Sequence, residues 1–296
     1  MIQHTLRHLA RVGVTNTVIN VHHLADRMIA VARNACPANM TLEFSKEPRA
    51  ALGTGGGIAY AKPLLKDTDP LLVINGDVLA ALNIDAAISA HTKSKAVATL
   101  LLTDAAHARD FFGVGLDSNL GITGFWGEPQ QNEVRRLAFT GVHIISLPLR
   151  NSLPNDREAC VKLDGWIPAI DRGEPVLGTV SSGTWFDLGT PQRYLYAHRL
   201  VSSKLHEWTN WPERQPNVFS ADPIPSTLNV TGPATIGPNL KINGTATIGP
   251  HCHLGDNVNL SSGVHLSNVV AWSNSTIAAS LDSAIVGPFG VVSASS

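Results

Sequence analysis

Leu71-Leu-Val-Ile-Asn-Gly-Asp-Val78 is the stretch on which the reading of the first half of this chain turns. Four apolar residues run without interruption into Asn75, Gly76 and Asp77. A short continuous apolar run bounded by turn residues reads as a strand buried on both faces. The flanking pattern agrees. Ile2, Leu6 and Leu9 lie at helical spacing and Gly13 is a helix stop. Thr15–Val21 predicts a strand, Leu24–Asn34 a helix and Met40–Phe44 a strand. Gly55–Leu65 predicts a helix that Pro63 should end or kink. Beyond the quoted stretch, Ile84–Lys93 predicts a helix and Ala96–Leu102 another strand. This rhythm predicts βαβ units, a mostly parallel sheet and helices on both of its faces. Gly113–Leu116 and Ile122–Phe125 flank Asp117-Ser-Asn as a hairpin would. Leu137–Ile145 predicts a long strand. Thr190 caps a helix that has Pro191 in its first turn and runs to about Ser203.

The period then changes. A polar stretch at 206–223 reads as a linker, which makes 1–205 one domain and 224–296 another. Ile224, Val230, Ile236, Ile242, Ile248, Leu254, Leu260, Leu266 and Trp272 recur every six residues without a slip. Neither a helix nor a strand repeats at six. A hexapeptide solenoid does, each short strand turning one aliphatic residue into the bore and three strands completing a coil. After Trp272 the repeat loosens, which predicts an irregular last coil or a cap.

With 15% charged residues and a formal net charge of -1, the composition gives no reason to expect nucleic acid or an acidic membrane as partner. Cys36, Cys160 and Cys252 are far apart, which argues against a disulfide framework or a zinc site and suits a reducing, cytoplasmic setting. No apolar run reaches the roughly 18 residues of a membrane span.

Three segments carry candidate chemistry. Ligands of open α/β sheets bind beyond the carboxyl ends of the strands, and Asp77 stands just past one such end. On its own a carboxylate there caps a turn as readily as it holds a ligand. Leu52-Gly-Thr-Gly-Gly-Gly-Ile58 opens a predicted helix, where main chain can approach a ligand closely. It is neither a Walker loop nor GxGxxG, and a flexible loop is its plainer reading. In Gly183-Thr-Trp-Phe-Asp-Leu-Gly-Thr-Pro191, Asp187 again follows apolar residues. Two carboxylates at one sheet edge suit Mg2+, which takes one or two protein carboxylates and completes its shell with water and phosphate. The simpler role for Asp187 is a carboxylate favoured by a helix N-terminus.

Together with Phe139-Thr-Gly-Val142, these segments resemble the sugar-1-phosphate nucleotidyltransferases, specifically the mannose-1-phosphate guanylyltransferase-like group with its left-handed β-helix tail. The resemblance covers essentially the whole chain. It implies a doubly wound, Rossmann-like (GT-A-type) α/β domain followed by a left-handed β-helix of hexapeptide repeats. The implied reaction is attack of a sugar 1-phosphate on the α-phosphorus of a nucleoside triphosphate, with pyrophosphate leaving and no covalent enzyme intermediate. Asp77 and Asp187 would be the catalytic pair and hold Mg2+. Glu47, Leu52, Gly53, Thr54, Gly55, Gly56, Asn75 and Gly76 would contact the nucleotide; Thr140, Gly141 and Glu128 would face the sugar. The tail would associate copies into a homo-oligomer.

The pattern departs from the family in two places. Members open with a Gly-rich loop of the type GxGTRLxPLT and a Lys-Pro element, which cradle the triphosphate; this chain starts at the helix expected after it. By that comparison about 25–30 residues are absent, including the central strand of a doubly wound sheet. Unpaired main-chain groups cost on the order of 1–3 kcal/mol each against a domain stability of about 5–15 kcal/mol. The expectation is therefore a start-truncated chain, or another segment in the slot, and weak catalysis. Secondly, Glu128 stands where relatives often carry a lysine for the sugar phosphate, and repulsion makes it a poor phosphate ligand; Lys162 and Arg136 are the alternatives. Two other readings remain open: a non-catalytic scaffold that binds nucleotide sugar, and an acyltransferase using His251 or His253 of the solenoid.

Overall fold

The computed structural model describes residues 1–47, 50–66, 68–202 and 211–294. By packing these divide into two compact units, Met1–Phe186 and Asp187–Ser296.

The first unit carries the strands β1 (Asn16–Val21), β2 (Thr41–Lys46), β3 (Leu71–Ile74), β4 (Val78–Ala81), β5 (Ala98–Thr103), β6 (Phe112–Leu116), β7 (Ile122–Phe125), β8 (Arg135–Ile145) and β9 (Val176–Val180), with β10 (Thr184–Asp187) at its end. β5 is buried along its whole length. Leu100 and Leu102 enter one core with Ile58 and Trp166, whereas Leu101 enters another with Leu6, Leu9 and Ile84. That alternation is the pleat of a strand covered on both faces, as the sequence rhythm requires. The predicted helix at 55–65 is two helices, Gly53–Tyr60 and Lys62–Leu65, and Pro63 lies in the first turn of the second rather than ending the first.

The sheet differs from expectation in two respects. It is mixed rather than mostly parallel. β5–β9 is parallel, but β8 runs antiparallel to β3, β5 and β6, so the longest strand sets the opposite direction at the centre. It is also in three pieces. β1 and β2 form a parallel pair of their own, and β4 pairs with β10, both separate from the sheet that contains β3. β3, expected to be fully buried, is half-buried at every residue, because among the described residues only its β8 edge is paired.

β8 exchanges partners midway. Arg135–Ala138 pair with β6 and Val142–Ile145 with β3. The residues between, 139 to 141, pair with neither strand, and Thr140 and Gly141 are buried.

The second unit is a parallel β-solenoid. Leu228 pairs with Ala246, Ala234 with Cys252, Lys241 with Asn259 and Ala246 with Val264, so each coil takes eighteen residues, three hexads. Ile236, Ile248, Leu254, Leu260 and Leu266 fill the bore, joined by a smaller set two residues earlier: Ala234, Ala246, Cys252, Val258 and Val264. At one corner Asn239, Asn257 and Asn274 adopt left-handed backbone and hand an amide hydrogen bond up the stack at 3.2 and 3.1 Å; asparagine tolerates that conformation best among non-glycine residues.

The repeat fails one hexad sooner than the sequence spacing suggests. His253 pairs with Val270, and Leu266 with Leu281, so coils shorten to seventeen and then fifteen residues. Ala271 takes the interior place, and Trp272, expected inside, is 43% exposed. The expected linker is outside the described residues up to 210, but Glu213–Gln215 and Val218–Ser220 form a hairpin whose second strand joins the solenoid beside Ala234–Ile236. The helix Pro191–Ser202 packs Leu195 on Val270 and Ile285, so it belongs to the second unit by packing. No helix among the described residues is long and apolar enough to cross a membrane.

Candidate active site

β3 ends at Ile74, and the Asn75-Gly76-Asp77 turn feeds straight into β4. The Asn75 N–H donates to the Gly141 carbonyl at 2.8 Å. Gly141 has φ +77°, and a Cβ there would stand 3.1 Å from both Asn75 Cβ and Val78 Cγ1. Only glycine meets that backbone and that approach without strain. Of the residues nominated from sequence, Asn75 and Gly141 are thus in direct contact, with Gly76 and Asp77 next in the turn. Gly76 and Asp77 are exposed, and a Cβ on Gly76 would meet nothing within 4 Å. Asp77 has no side-chain hydrogen bond or ion pair among the described residues.

β10 is hydrogen-bonded to β4. Gly183, just before it, packs against the Ala81 carbonyl at the far end of β4, so β10 runs back towards Val78. It is pinned there from the side: Trp185 Nε1 donates to the Thr140 carbonyl at 2.7 Å, and His107 Nε2 donates to the Trp185 carbonyl at 2.6 Å. The His107 ring also stacks on Phe186 at 5.0 Å.

Asp187 is the last residue of β10. Its Oδ1 accepts from the Gly189 N–H at 3.0 Å and from Arg193 Nη1 at 2.9 Å. Thr190 Oγ1 accepts from the Arg193 N–H at 3.2 Å, the expected cap.

The glycine segment is not a loop. Gly53–Tyr60 is a helix with Gly55, Gly56 and Gly57 buried. The Gly55 and Gly56 N–H groups both donate to the Ala159 carbonyl, at 2.8 and 3.2 Å. Thr54 Oγ1 accepts from the Val161 N–H at 3.1 Å, and the Leu52 carbonyl accepts from the Ala159 N–H at 2.9 Å. A Cβ on Gly55 would stand 3.0 Å from the Val161 nitrogen. The close approach these glycines permit is to the chain's own 157–161 segment, and the donors expected to face a nucleotide are already taken. Glu47 is likewise engaged: Oε1 accepts from Asn20 Nδ2 at 3.1 Å and Oε2 from the Leu52 N–H at 2.9 Å. It ties the ends of β1 and β2 to the start of the glycine helix.

On the sugar side, Thr140 is a correction. It is fully buried, and its hydroxyl donates to the Leu101 carbonyl at 2.8 Å; it braces the strands, and Gly141 beside it is buried as well. Glu128 is exposed in the loop between β7 and β8. Arg136 is committed to Glu133 through two 2.7 Å bonds and to the Gly127 carbonyl at 3.0 Å, so it does not substitute for a phosphate-binding lysine. Lys162 is half-exposed, in a π-helical turn from Val161 to Trp166.

Asp77 has no side-chain partner among the described residues, and Asp187 Oδ2 takes no part in the bonds just described. Among the described residues no cluster of three or more His, Cys, Asp or Glu side chains forms a metal site. In the solenoid, His253 is buried between Ser202 Oγ at 2.9 Å and Thr235 Oγ1 at 3.0 Å. Burial lowers it to about 3 and His198 to about 4. A base so enclosed does not serve an acyl transfer.

Sequence reasoning missed Arg193, His107 and the 157–161 segment. Arg193 six residues after Asp187 is the one sequence signal available. A backbone carbonyl such as that of Ala159 leaves none.

The chain belongs to the nucleotidyl transferase family, whose model matches residues 1–204. That match includes the helix Pro191–Ser202, which descent assigns to the first domain and packing to the second. The chain is 30% identical over 203 residues to N-acetylmuramate alpha-1-phosphate uridylyltransferase of Caulobacter vibrioides, covering 67% of this chain and 82% of that one. It is 24% identical to a probable mannose-1-phosphate guanylyltransferase 3 of Arabidopsis thaliana, over 71% of this chain and 63% of that protein. Among solved structures, HddC from Yersinia pseudotuberculosis has the same fold, with a TM-score of 0.55 at 21% identity, covering 66% of this chain and 82% of that one.

Proposed function

We propose that this chain transfers a nucleotidyl group from a nucleoside triphosphate to a sugar 1-phosphate and releases pyrophosphate. The observation that carries the reading is the Asn75-Gly76-Asp77 turn at the end of β3, exposed at Gly76 and Asp77 and bonded to Gly141. Ligands of open α/β sheets bind beyond the carboxyl ends of the strands, where this turn stands. Asp77 and Asp187 would hold Mg2+, which when bound neutralises charge on phosphate oxygens. Gly141 lets the sugar lie against main chain. Asn75 is held by its N–H, which fixes the turn from which Asp77 projects. The buried glycine helix acts as a rigid floor, with Glu47 bracing its start.

Each relative takes its own sugar, so the test is a matrix: pyrophosphate release from UTP, GTP, dTTP, CTP and ATP against hexose and N-acetylhexosamine 1-phosphates, with and without Mg2+. Metal-dependent release with one pair supports the reading. The ion pair on Asp187 favours one alternative, a scaffold that binds nucleotide sugar without turnover; saturable binding with no pyrophosphate would select it. We further propose that turnover depends on a basic glycine loop of the family type, so the matrix is run with and without family-type upstream residues fused at Met1; equal rates would remove that requirement. The solenoid is read as left-handed, and as the surface through which copies associate in the cytoplasm; sedimentation of the intact chain tests the association.

A further inference from the structure

Asp187 is held by the chain itself. Its Oδ1 takes the Arg193 guanidinium at 2.9 Å and the Gly189 N–H at 3.0 Å, and the Arg193 N–H is fixed by Thr190 Oγ1 at 3.2 Å. The turn from 187 to 193 is therefore closed on the one oxygen. The pair is neither open to bulk water nor sealed from it, with side-chain exposures of 46% for Arg193 and 20% for Asp187. Sequence motifs account for the carboxylate and the Thr-Pro helix start, but not for a cation placed on a metal ligand.

We infer that Arg193 is a positioning residue that makes Asp187 selective for a metal–phosphate complex over the bare metal ion. This rests on the reading of Asp187 as a metal ligand. A divalent cation arriving alone would share one carboxylate with a guanidinium, and the like charges repel. A cation arriving on a triphosphate brings excess negative charge, which the same guanidinium attracts, and arginine matches phosphate oxygens in charge and in fork geometry. One side chain thus disfavours the unproductive ligand and favours the productive one, a repulsive and an attractive element together.

The experiment measures Mn2+ binding to the intact chain by paramagnetic resonance of the free ion, without turnover, with and without a non-hydrolysable triphosphate analogue. The variants are Arg193→Gln, Arg193→Lys and Asp187→Asn. Arg193→Gln is expected to bind Mn2+ alone more tightly, by roughly threefold to tenfold for a dication and a guanidinium sharing a carboxylate through screened water. With the analogue present it should bind more weakly than the parent. Arg193→Lys keeps the charge and should stay close to the parent for Mn2+ alone. A merely structural arginine would weaken both bindings when removed. Bare-ion binding by Arg193→Gln that is unchanged or weaker overturns the inference. Should Asp187→Asn bind the Mn2+–analogue complex as well as the parent does, the underlying assignment of Asp187 fails instead, and the two failures are distinct.

Discussion

Asp77 stands exposed and has no side-chain partner among the described residues, so its contribution to chemistry separates from its contribution to folding. Asp77→Asn should lower pyrophosphate release by at least about a hundredfold, as loss of an electrostatic catalytic group does, while the melting temperature stays within the narrow range usual for surface substitutions. Retained turnover would remove Asp77 from the site. Gly141→Ala is the converse case. It places a Cβ on a left-handed residue and against Asn75 and Val78, and should cost about 1–3 kcal/mol of stability in denaturant unfolding. A third residue-scale effect is pH. Burial lowers His143 and His253 to about 3 and His198 to about 4 from an ordinary 6.5. The unfolded chain therefore binds more protons than the folded one between those values. Their stabilisation is complete above about pH 6.5 and is lost as the pH falls towards 4, on the order of 1 kcal/mol per pH unit for each histidine. Melting temperatures recorded from pH 7.5 to 4 should start to fall near 6.5; a rise on acidification would contradict this. The places of Asp77 and Asp187 at strand ends were legible in the apolar runs that precede them. The bracing bonds of Thr140 and Glu47 were not, because their partners, the Leu101 carbonyl and the Leu52 N–H, are main-chain groups brought close only by folding.

At the scale of elements, the solenoid was the most legible part of the chain, since each coil repeats the same inward aliphatic position. Ile248 is fully buried in that bore, and Ile248→Ala should destabilise the second unit by about 2–5 kcal/mol, read from its unfolding midpoint. The loss of register between Leu266 and Ala271 was not legible, because Trp272 keeps the sixfold spacing although the chain has already dropped a residue. Strand direction in the first unit was equally hidden: an apolar run has the same composition whichever way it runs. β1 and β2, a two-stranded sheet on their own, lack the support that β5 and β8 give one another. Amides of β1 should exchange with deuterium well before those of β5; equal protection would mean that the two sheets open together.

At the scale of the whole molecule, the family match and the packing divide the chain at different places. The sequence of the helix Pro191–Ser202 continues the nucleotidyl transferase pattern, whereas its apolar face is spent on the solenoid. Asp187 lies where one description passes into the other. In the proposed reaction Asp77 and Asp187 would grip one metal–phosphate unit. The most direct measurement is a double-mutant cycle on affinity for an Mn2+–triphosphate analogue, using Asp77→Asn, Asp187→Asn and the double variant. One shared ion predicts that either substitution removes most of the affinity and that the second adds little. Independent, additive losses would place the two carboxylates at separate sites and contradict it.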